Sequence, residues 1–329
     1  MNSFSIPSPL LLTGAAGFIA SRTAQFLLNA GAEVIGVDNL NDYYDVRLKH
    51  HRLAELQKHP GFSFYELDIE NLAALRLLFE LRRPMAVLNL AARAGVGYSL
   101  KNPHVYLTTN ANGTLNLLEC MRTFDVRKMV LASTSSLYAG LPMPFSETLP
   151  VNTPISPYAA SKKAAEVMAY TYHFLFGIDV SVVRYFTVFG PAGRPDMSIY
   201  RFIQWILHGQ KLQLTGDGSQ SRDFTFVDDI AQGTIAALRP VGFEIINLGG
   251  GRNPRSMRDV ILYIEQKLGK LADIEYLPMP PEDMPSTWAD IAKAGRLLDW
   301  QPEISLEEGL DRTIAWHLEH QSFLSTLRI

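Results

Sequence analysis

The stretch "TGAAGFIA" (13–20) lies between an apolar run, "PLLL", and a helical pattern over 17–30. Its spacing is G-x-x-G-x-x-A, through Gly14, Gly17 and Ala20. No other feature narrows the possible folds as far. A strand turning this tightly into a helix needs a residue without Cβ, which Gly14 supplies. Gly17 lets backbone approach a pyrophosphate, and small Ala20 lets the helix lie close on a sheet. The unpaired N–H groups and the positive end of the helix dipole favour phosphate there. A glycine pattern alone has a plain alternative, a tight strand–helix turn and nothing more. The next strand, "EVIGVD", supplies context, since Asp38 closes it about 20 residues on. A carboxylate there can accept from both ribose hydroxyls of a dinucleotide and would repel a 2′-phosphate. No arginine follows it directly, so NAD is expected rather than NADP.

The same alternation continues down the chain. Strand-like runs at 62–68, 85–91, 128–133 and 180–186 are separated by helical patterns over 46–58, 71–82, 104–124 and 157–176. Buried Val/Ile/Leu strands in a β-α-β-α rhythm predict a doubly wound, Rossmann-like parallel sheet. After about 187 the character changes, with Pro and Gly clustered in "FGPAGRPDM", "TGDGSQS", "GGGRNP" and "LPMPPEDMP". "FEIINL" (243–248) still reads as a core strand returning to the first sheet. We therefore expect a dinucleotide-binding domain over 1–187 with 225–250. A smaller, mixed α/β substrate domain is expected over 188–224 and 251–329. Asp68 and the segment "LNLAARAGV" (88–96) end strands three and four, and such ends face the ligand. Asp68 also reads as a helix N-cap.

A reaction centre is suggested further on. "SPYAASKKAAE" (156–166) holds Tyr158 and Lys162, four apart and so on one helix face. A free tyrosine, with a pKa of about 10, is a poor base at neutral pH. A neighbouring ammonium and a positive nicotinamide would both favour the phenolate, which could then take a proton from a sugar hydroxyl. Solvated helix residues are the plain alternative. The fifth strand ends in "STSSLY" (133–138), hydroxyls that suit a turn, a hydrolase serine or a carbohydrate oxidoreductase site alike.

Taken together, "TGAAGFIA", Asp38, "STSSLY", Tyr158 and Lys162 resemble the extended short-chain dehydrogenase/reductases that act on nucleotide sugars. The resemblance spans nearly the whole chain, including "GDGSQSRDFTFVDDI" (216–230) and "SLEEGL" (305–310). "DNLNDYYDVRLK" (38–49), "AGVGYSLKNPHVY" (94–106) and "RYFTVFGPAGRPDM" (184–197) resemble the UDP-glucuronate 4-epimerases within that family. "GDGSQSRDF" is commoner in relatives acting on neutral sugars. The resemblance implies Tyr158, Lys162 and Thr134 as catalytic residues. It implies cofactor contacts from Gly14, Ala16, Gly17, Phe18, Ile19, Asp38, Asn39, Asp68, Ile69, Leu90, Ala91, Ala92, Asn110, Ser133 and Tyr185, besides Tyr158 and Lys162. Ser135, Ser136, Thr187 and Arg194 would meet the sugar, Arg222 the diphosphate and Asp283 the uridine end. It further implies transient oxidation at C4, and a homodimer built from the helices at 104–124 and 158–176, which carry apolar residues on more than one face.

Other readings fare worse. Dehydrating relatives place an Asp-Glu pair after the catalytic threonine, whereas Ser135 and Ser136 stand here and neither is a strong general acid. Decarboxylating relatives use a glutamate near the same strand end, and none is present. A UDP-glucose 4-epimerase and a non-catalytic NAD-binding protein stay open. A serine hydrolase would need G-x-S-x-G, and "STSSLY" lacks the glycines. Arg194 suits the carboxylate of a uronate, since a guanidinium gives oriented, bidentate contact. The alternative is a pair with Asp196. His50 and His51 are adjacent, and His317 and His320 lack a third ligand, so no metal site is expected. The net charge is −3 with no long basic run, which argues against nucleic acid. One cysteine, Cys120, inside an apolar pattern excludes a disulfide framework and suits the cytoplasm. No apolar run is long enough to span a bilayer, and no signal peptide is read at the N-terminus.

Overall fold

The computed structural model describes residues 5–251, 254–280 and 284–328. The early apolar runs become β1 (Leu10–Thr13), β2 (Val34–Asp38), β3 (Phe62–Glu66), β4 (Ala86–Asn89), β5 (Lys128–Thr134) and β6 (Asp179–Tyr185). Four short strands follow: β7 (Thr187–Phe189), β8 (Lys211–Thr215), β9 (Ser221–Arg222) and β10 (Phe224–Phe226). Then come β11 (Phe243–Leu248), β12 (Arg255–Ser256) and β13 (Asp273–Leu277). A seven-stranded sheet has the order β11-β6-β5-β4-β1-β2-β3, and every pairing in it is parallel. "FEIINL" thus does return to the first sheet, as its outermost strand beside β6.

The inner strands are rich in apolar residues because both faces are covered. Leu10 and Leu12 pack into one core cluster and Leu11 into another, the period-two split of a strand buried on both sides. The chain reverses its winding between β1 and β4, and ligands of such sheets bind beyond the strand ends at that point. Thr13 Oγ donates to Asn89 Oδ1 at 2.8 Å and accepts from Ala91 N–H at 3.1 Å, tying the two strand ends together.

Helices α1 (Phe18–Asn29), α2 (Val46–Gln57) and α3 (Leu72–Arg82) fall within a residue or two of their expected places. A short α4 (Val96–Lys101) comes before the helix expected over 104–124. That helix runs without a gap as α5 (Pro103–Tyr106), a π-helical segment (Leu107–Asn112) and α6 (Gly113–Thr123). The π segment widens the backbone so that Asn110 turns inward. Its amide bonds Arg93 at both N–H and C=O, at 2.9 and 3.0 Å, and Ser161 Oγ at 2.9 Å. π-Bulges gather at functional sites for this kind of reason. Helix α7 (Pro157–Phe176) covers the run expected for it.

Beyond β6 the short strands pair off as β7 with β10, β8 with β13 and β9 with β12. Among the described residues no helix is long and apolar enough to cross a membrane.

Candidate active site

Beyond the carboxyl ends of β1, β2, β4, β5 and β6 lies a cavity of about 900 Å³. Single ligand pockets run to about 1,000 Å³, so it has room for an extended ligand. Gly14 forms its floor with φ +70°, and a Cβ there would sit 2.9 Å from the Ala91 backbone. Gly17 caps α1 without a side-chain bond, and no acidic residue lies in the first turn. The helix end is therefore left to attract an anion.

At the end of β2, Asp38 accepts from Leu40 N–H at 2.8 Å and from Ala16 N–H at 3.2 Å. Lys49 Nζ lies 3.7 Å from the same carboxylate and is itself buried. Asn39 donates to Asp68 Oδ2 at 2.7 Å, joining two strand ends. Asp68 also accepts from Glu70 N–H, but the N-cap of α3 is Asn71. The cap reading of Asp68 fails, and Asp68 makes a local turn three residues before the true cap. Phe18, Ile19, Asp38, Asn39, Asp68, Ile69, Leu90, Ala91 and Ala92 all line the cavity. Ala16 and Asn110 do not line it: Ala16 is buried against Asp38, and Asn110 braces Arg93 from behind the wall.

The reaction centre joins β5 to α7. Ser156 caps α7 through Ala159 N–H at 3.2 Å, with Pro157 as the first helical residue. A cap of this kind contributes about 1 kcal/mol and fixes where the helix starts. Tyr158 and Lys162 then share the face that meets the end of β5. The Thr134 side chain bonds Tyr158, and Lys162 Nζ donates to Ala132 C=O at 2.9 Å. Burial pushes the Tyr158 phenol above its ordinary value, against the pull of the Thr134 hydroxyl and the Arg194 charge. Lys162, expected to lower that phenol, is not among the groups doing so. Burial pushes Lys162 itself down to about 8, with the Glu166 carboxylate opposing. Ser133 Oγ donates to Glu166 Oε1 at 2.6 Å, so its hydroxyl is already engaged. The Tyr185 hydroxyl is likewise engaged, with Thr234 Oγ at 2.7 Å.

Ser135, Ser136, Thr187 and Arg194 line the same cavity. Both readings of Arg194 hold at once: it reaches the cavity and it pairs with Asp196. Nε and Nη2 donate to the two carboxylate oxygens at 3.0 and 2.5 Å. Its guanidinium lies 5.7 Å from the Tyr43 ring centre. Burial of Asp196 is outweighed by the adjacent guanidinium, which holds its carboxyl below the usual range.

Several wall residues escaped the sequence reading. Tyr43, Lys49, Arg93, Tyr98 and Arg201 all line the cavity, as does Asp196, named there only as a partner for Arg194. Tyr43 bonds both Tyr106 and Asp196, and Gly95 admits it, since a Cβ there would lie 2.9 Å from the Tyr43 hydroxyl. Tyr43, Lys49 and Tyr98 sit in "DNLNDYYDVRLK" and "AGVGYSLKNPHVY", stretches singled out for resemblance but not resolved into single side chains. Arg222 lies on β9, paired with β12, and does not line this cavity. Asp283 lies outside the described residues. His317 is buried against Gln204 and Tyr200, and His51 stacks on Phe323.

The walls fit a dinucleotide carrying phosphate. Arg93 Nε and Arg201 Nε are buried without a partner among the described residues, and both residues line the cavity. The fold and the site define a class: an α/β protein that binds a dinucleotide, with tyrosine and lysine poised beyond its fifth strand. The chain belongs to the NAD dependent epimerase/dehydratase family, whose model matches residues 10–249. It is 58% identical, over 97% of this chain and 99% of the relative, to a UDP-glucuronate 4-epimerase of Thermodesulfobacterium geofontis. Among solved structures it resembles the UDP-glucuronic acid 4-epimerase of Bacillus cereus in complex with UDP-glucuronic acid and NAD. The TM-score is 0.89 at 37% identity, over 94% of this chain and 99% of that one. A UDP-glucose 4-epimerase of Thermotoga maritima with UDP-glucose matches at a TM-score of 0.87 and 30% identity, over 95% and 99%.

Proposed function

We propose that this chain converts UDP-glucuronate to UDP-galacturonate by oxidising C4, turning the 4-keto sugar over and reducing its other face. One observation carries the reading: Arg194 reaches the same cavity as Tyr158, while Ser135 and Ser136 stand where an eliminating enzyme needs acids. NAD, when bound, supplies the hydride acceptor and a positive charge beside the phenol. Tyr158 takes the proton of the C4 hydroxyl and later returns it, and Thr134 passes it between them. Lys162 holds charge beneath the pair. Small hydroxyls at 134–136 bond either orientation of the keto sugar without committing charge to one. A 4-keto uronate is a β-keto acid and can lose CO₂. Arg194, held flat by Asp196, keeps the carboxylate out of the alignment that loss requires.

A second reading has its own support. Arg194 is already neutralised by Asp196, which leaves less charge for a uronate and suits a UDP-glucose 4-epimerase. Comparing kcat/KM for UDP-glucuronate and UDP-glucose separates the two. With the uronate reading, Arg194→Ala lowers kcat/KM for UDP-glucuronate at least tenfold more than for UDP-glucose, about 1.4 kcal/mol of selective binding. Equal losses on both substrates overturn the carboxylate role.

The remaining assignments rest on the same reading. The dinucleotide half comprises 1–187 and 225–250, and the sugar half 188–224 and 251–329. Arg222 holds the diphosphate and Asp283 the uridine end. A second copy of the chain covers the exposed stripe of Ala160, Ala164, Val167 and Phe174 on α7, beside Leu107 of the π segment. The buried, unpaired Cys120 suits a reducing cytoplasm.

A further inference from the structure

Arg52 of α2 is 3% exposed and does not line the cavity, yet each nitrogen of its guanidinium is engaged. Nη1 donates to Ala16 C=O at 3.1 Å and to the Tyr44 hydroxyl at 2.7 Å. Nε and Nη2 donate to Ala192 C=O at 2.9 and 2.7 Å, and Nη2 also donates to Gly193 C=O at 3.0 Å. Four of these five bonds go to backbone carbonyls and none goes to a carboxylate. A buried charge held by neutral dipoles alone costs desolvation that an apolar side chain of like size would avoid. What the guanidinium provides is a flat fork of fixed spacing, with donors aimed to two sides at once.

The two sides belong to different parts of the site. Ala16 lies in the turn from β1 into α1, where Asp38 holds its N–H. Ala192 and Gly193 lie in the loop between β7 and α8 (Ser198–His208), immediately before Arg194. Ala192 has φ +52°, a left-handed conformation that strains an alanine, and its carbonyl takes two of the five bonds. Arg194 is in turn oriented by Asp196 and reaches the cavity. One side chain outside the cavity thus spans the dinucleotide turn and the loop that presents Arg194.

We propose that Arg52 is a positioning residue whose fork fixes the loop before Arg194 against the dinucleotide turn, and so sets where Arg194 meets the carboxylate of a uronate. The inference rests on the reading of Arg194 as the carboxylate contact. A contact between guanidinium and carboxylate is demanding in angle as well as distance. A loop displaced by about 1 Å loses it while keeping the contacts common to every UDP-sugar. UDP-glucuronate and UDP-glucose share the nucleotide, the diphosphate and the ring, and differ only at C6. Misplacement of Arg194 therefore shows as lost discrimination between them. A general loosening of α2 weakens both alike.

The experiment is calorimetric titration of the NAD-saturated protein with UDP-glucuronate and with UDP-glucose, in a Tyr158→Phe background that stops turnover. The readout is the ratio of the two dissociation constants. Arg52→Met removes the fork and lowers the preference for UDP-glucuronate roughly tenfold, in the same direction as Arg194→Ala. Arg52→Lys keeps the charge and is the second variant, for use if the methionine one does not fold. It loses the preference too, because a single nitrogen does not reach Ala16 and Ala192 together. Adding Arg52→Lys to Arg194→Ala changes the preference no further, since both act on one contact. Equal weakening for both sugars, full preference in Arg52→Lys, or losses that add to those of Arg194→Ala overturn the proposal. If Arg194→Ala leaves the preference intact, the carboxylate reading fails and the proposal with it. If Arg194→Ala removes the preference and the Arg52 variants keep it, only the role of Arg52 fails.

Discussion

Asp223 is 2% exposed and accepts from Ala289 N–H at 2.8 Å and Gly251 N–H at 3.1 Å. Burial pushes its carboxyl up to about 6 in spite of those bonds. A folded value above the unfolded one, near 3.9, means that the folded chain binds the extra proton. The associated stability is complete below about pH 4 and lost as pH rises through about 6, on the order of 2–3 kcal/mol. Asp223→Asn removes that slope, so the melting temperature of the parent falls relative to the variant between pH 4 and 6. Parallel melting curves across that range would show that Asp223 does not titrate there. Single residues of this kind were not legible in the sequence. "SRDF" marks Asp223 as polar, but only the segments folded over it, at 250–251 and 287–289, make it a buried acid. The catalytic pair differs: Tyr158 and Lys162 were legible because a helix alone puts i and i+4 on one face.

At the scale of the element, local chemistry decides most of what is seen. The turn from β1 into α1 needs Gly14 at φ +70° against the Ala91 backbone. Gly14→Ala adds strain of about 1–3 kcal/mol and pushes β4 away. NAD affinity should fall at least tenfold and the melting temperature with it; a calorimetric titration that gives parental affinity refutes this role for the turn. The strands of the central sheet and α1, α2, α3 and α7 follow the apolar period closely. The pattern over 104–124 gave the helix but not its π segment, which adds a residue to one turn without ending the helix. Its position answers to the inward pull on Asn110, a contact 17 residues away in sequence.

On the whole molecule, the face of α7 away from the sheet is apolar and open. Phe174 is 75% exposed and Val167 53%, and Leu107 on the π segment is also 53% exposed. Two antiparallel copies of this stripe would bury one another in a closed, two-fold contact. Phe174→Asp should turn a dimer of this chain into a monomer in light scattering at micromolar concentration. An unchanged mass, or a monomeric parent, excludes this face as the contact. The amino-acid sequence by itself determined the doubly wound sheet, the dinucleotide turn and the Tyr158–Lys162 pair, because each is set by spacing over a few residues. Only the tertiary structure decided that Tyr43, Asp196 and Arg194 form one wall, that Ser133 serves Glu166, and that Arg222 stands off the cavity. Those arrangements depend on which strand ends lie side by side, and strand order is set by packing between segments far apart in the chain.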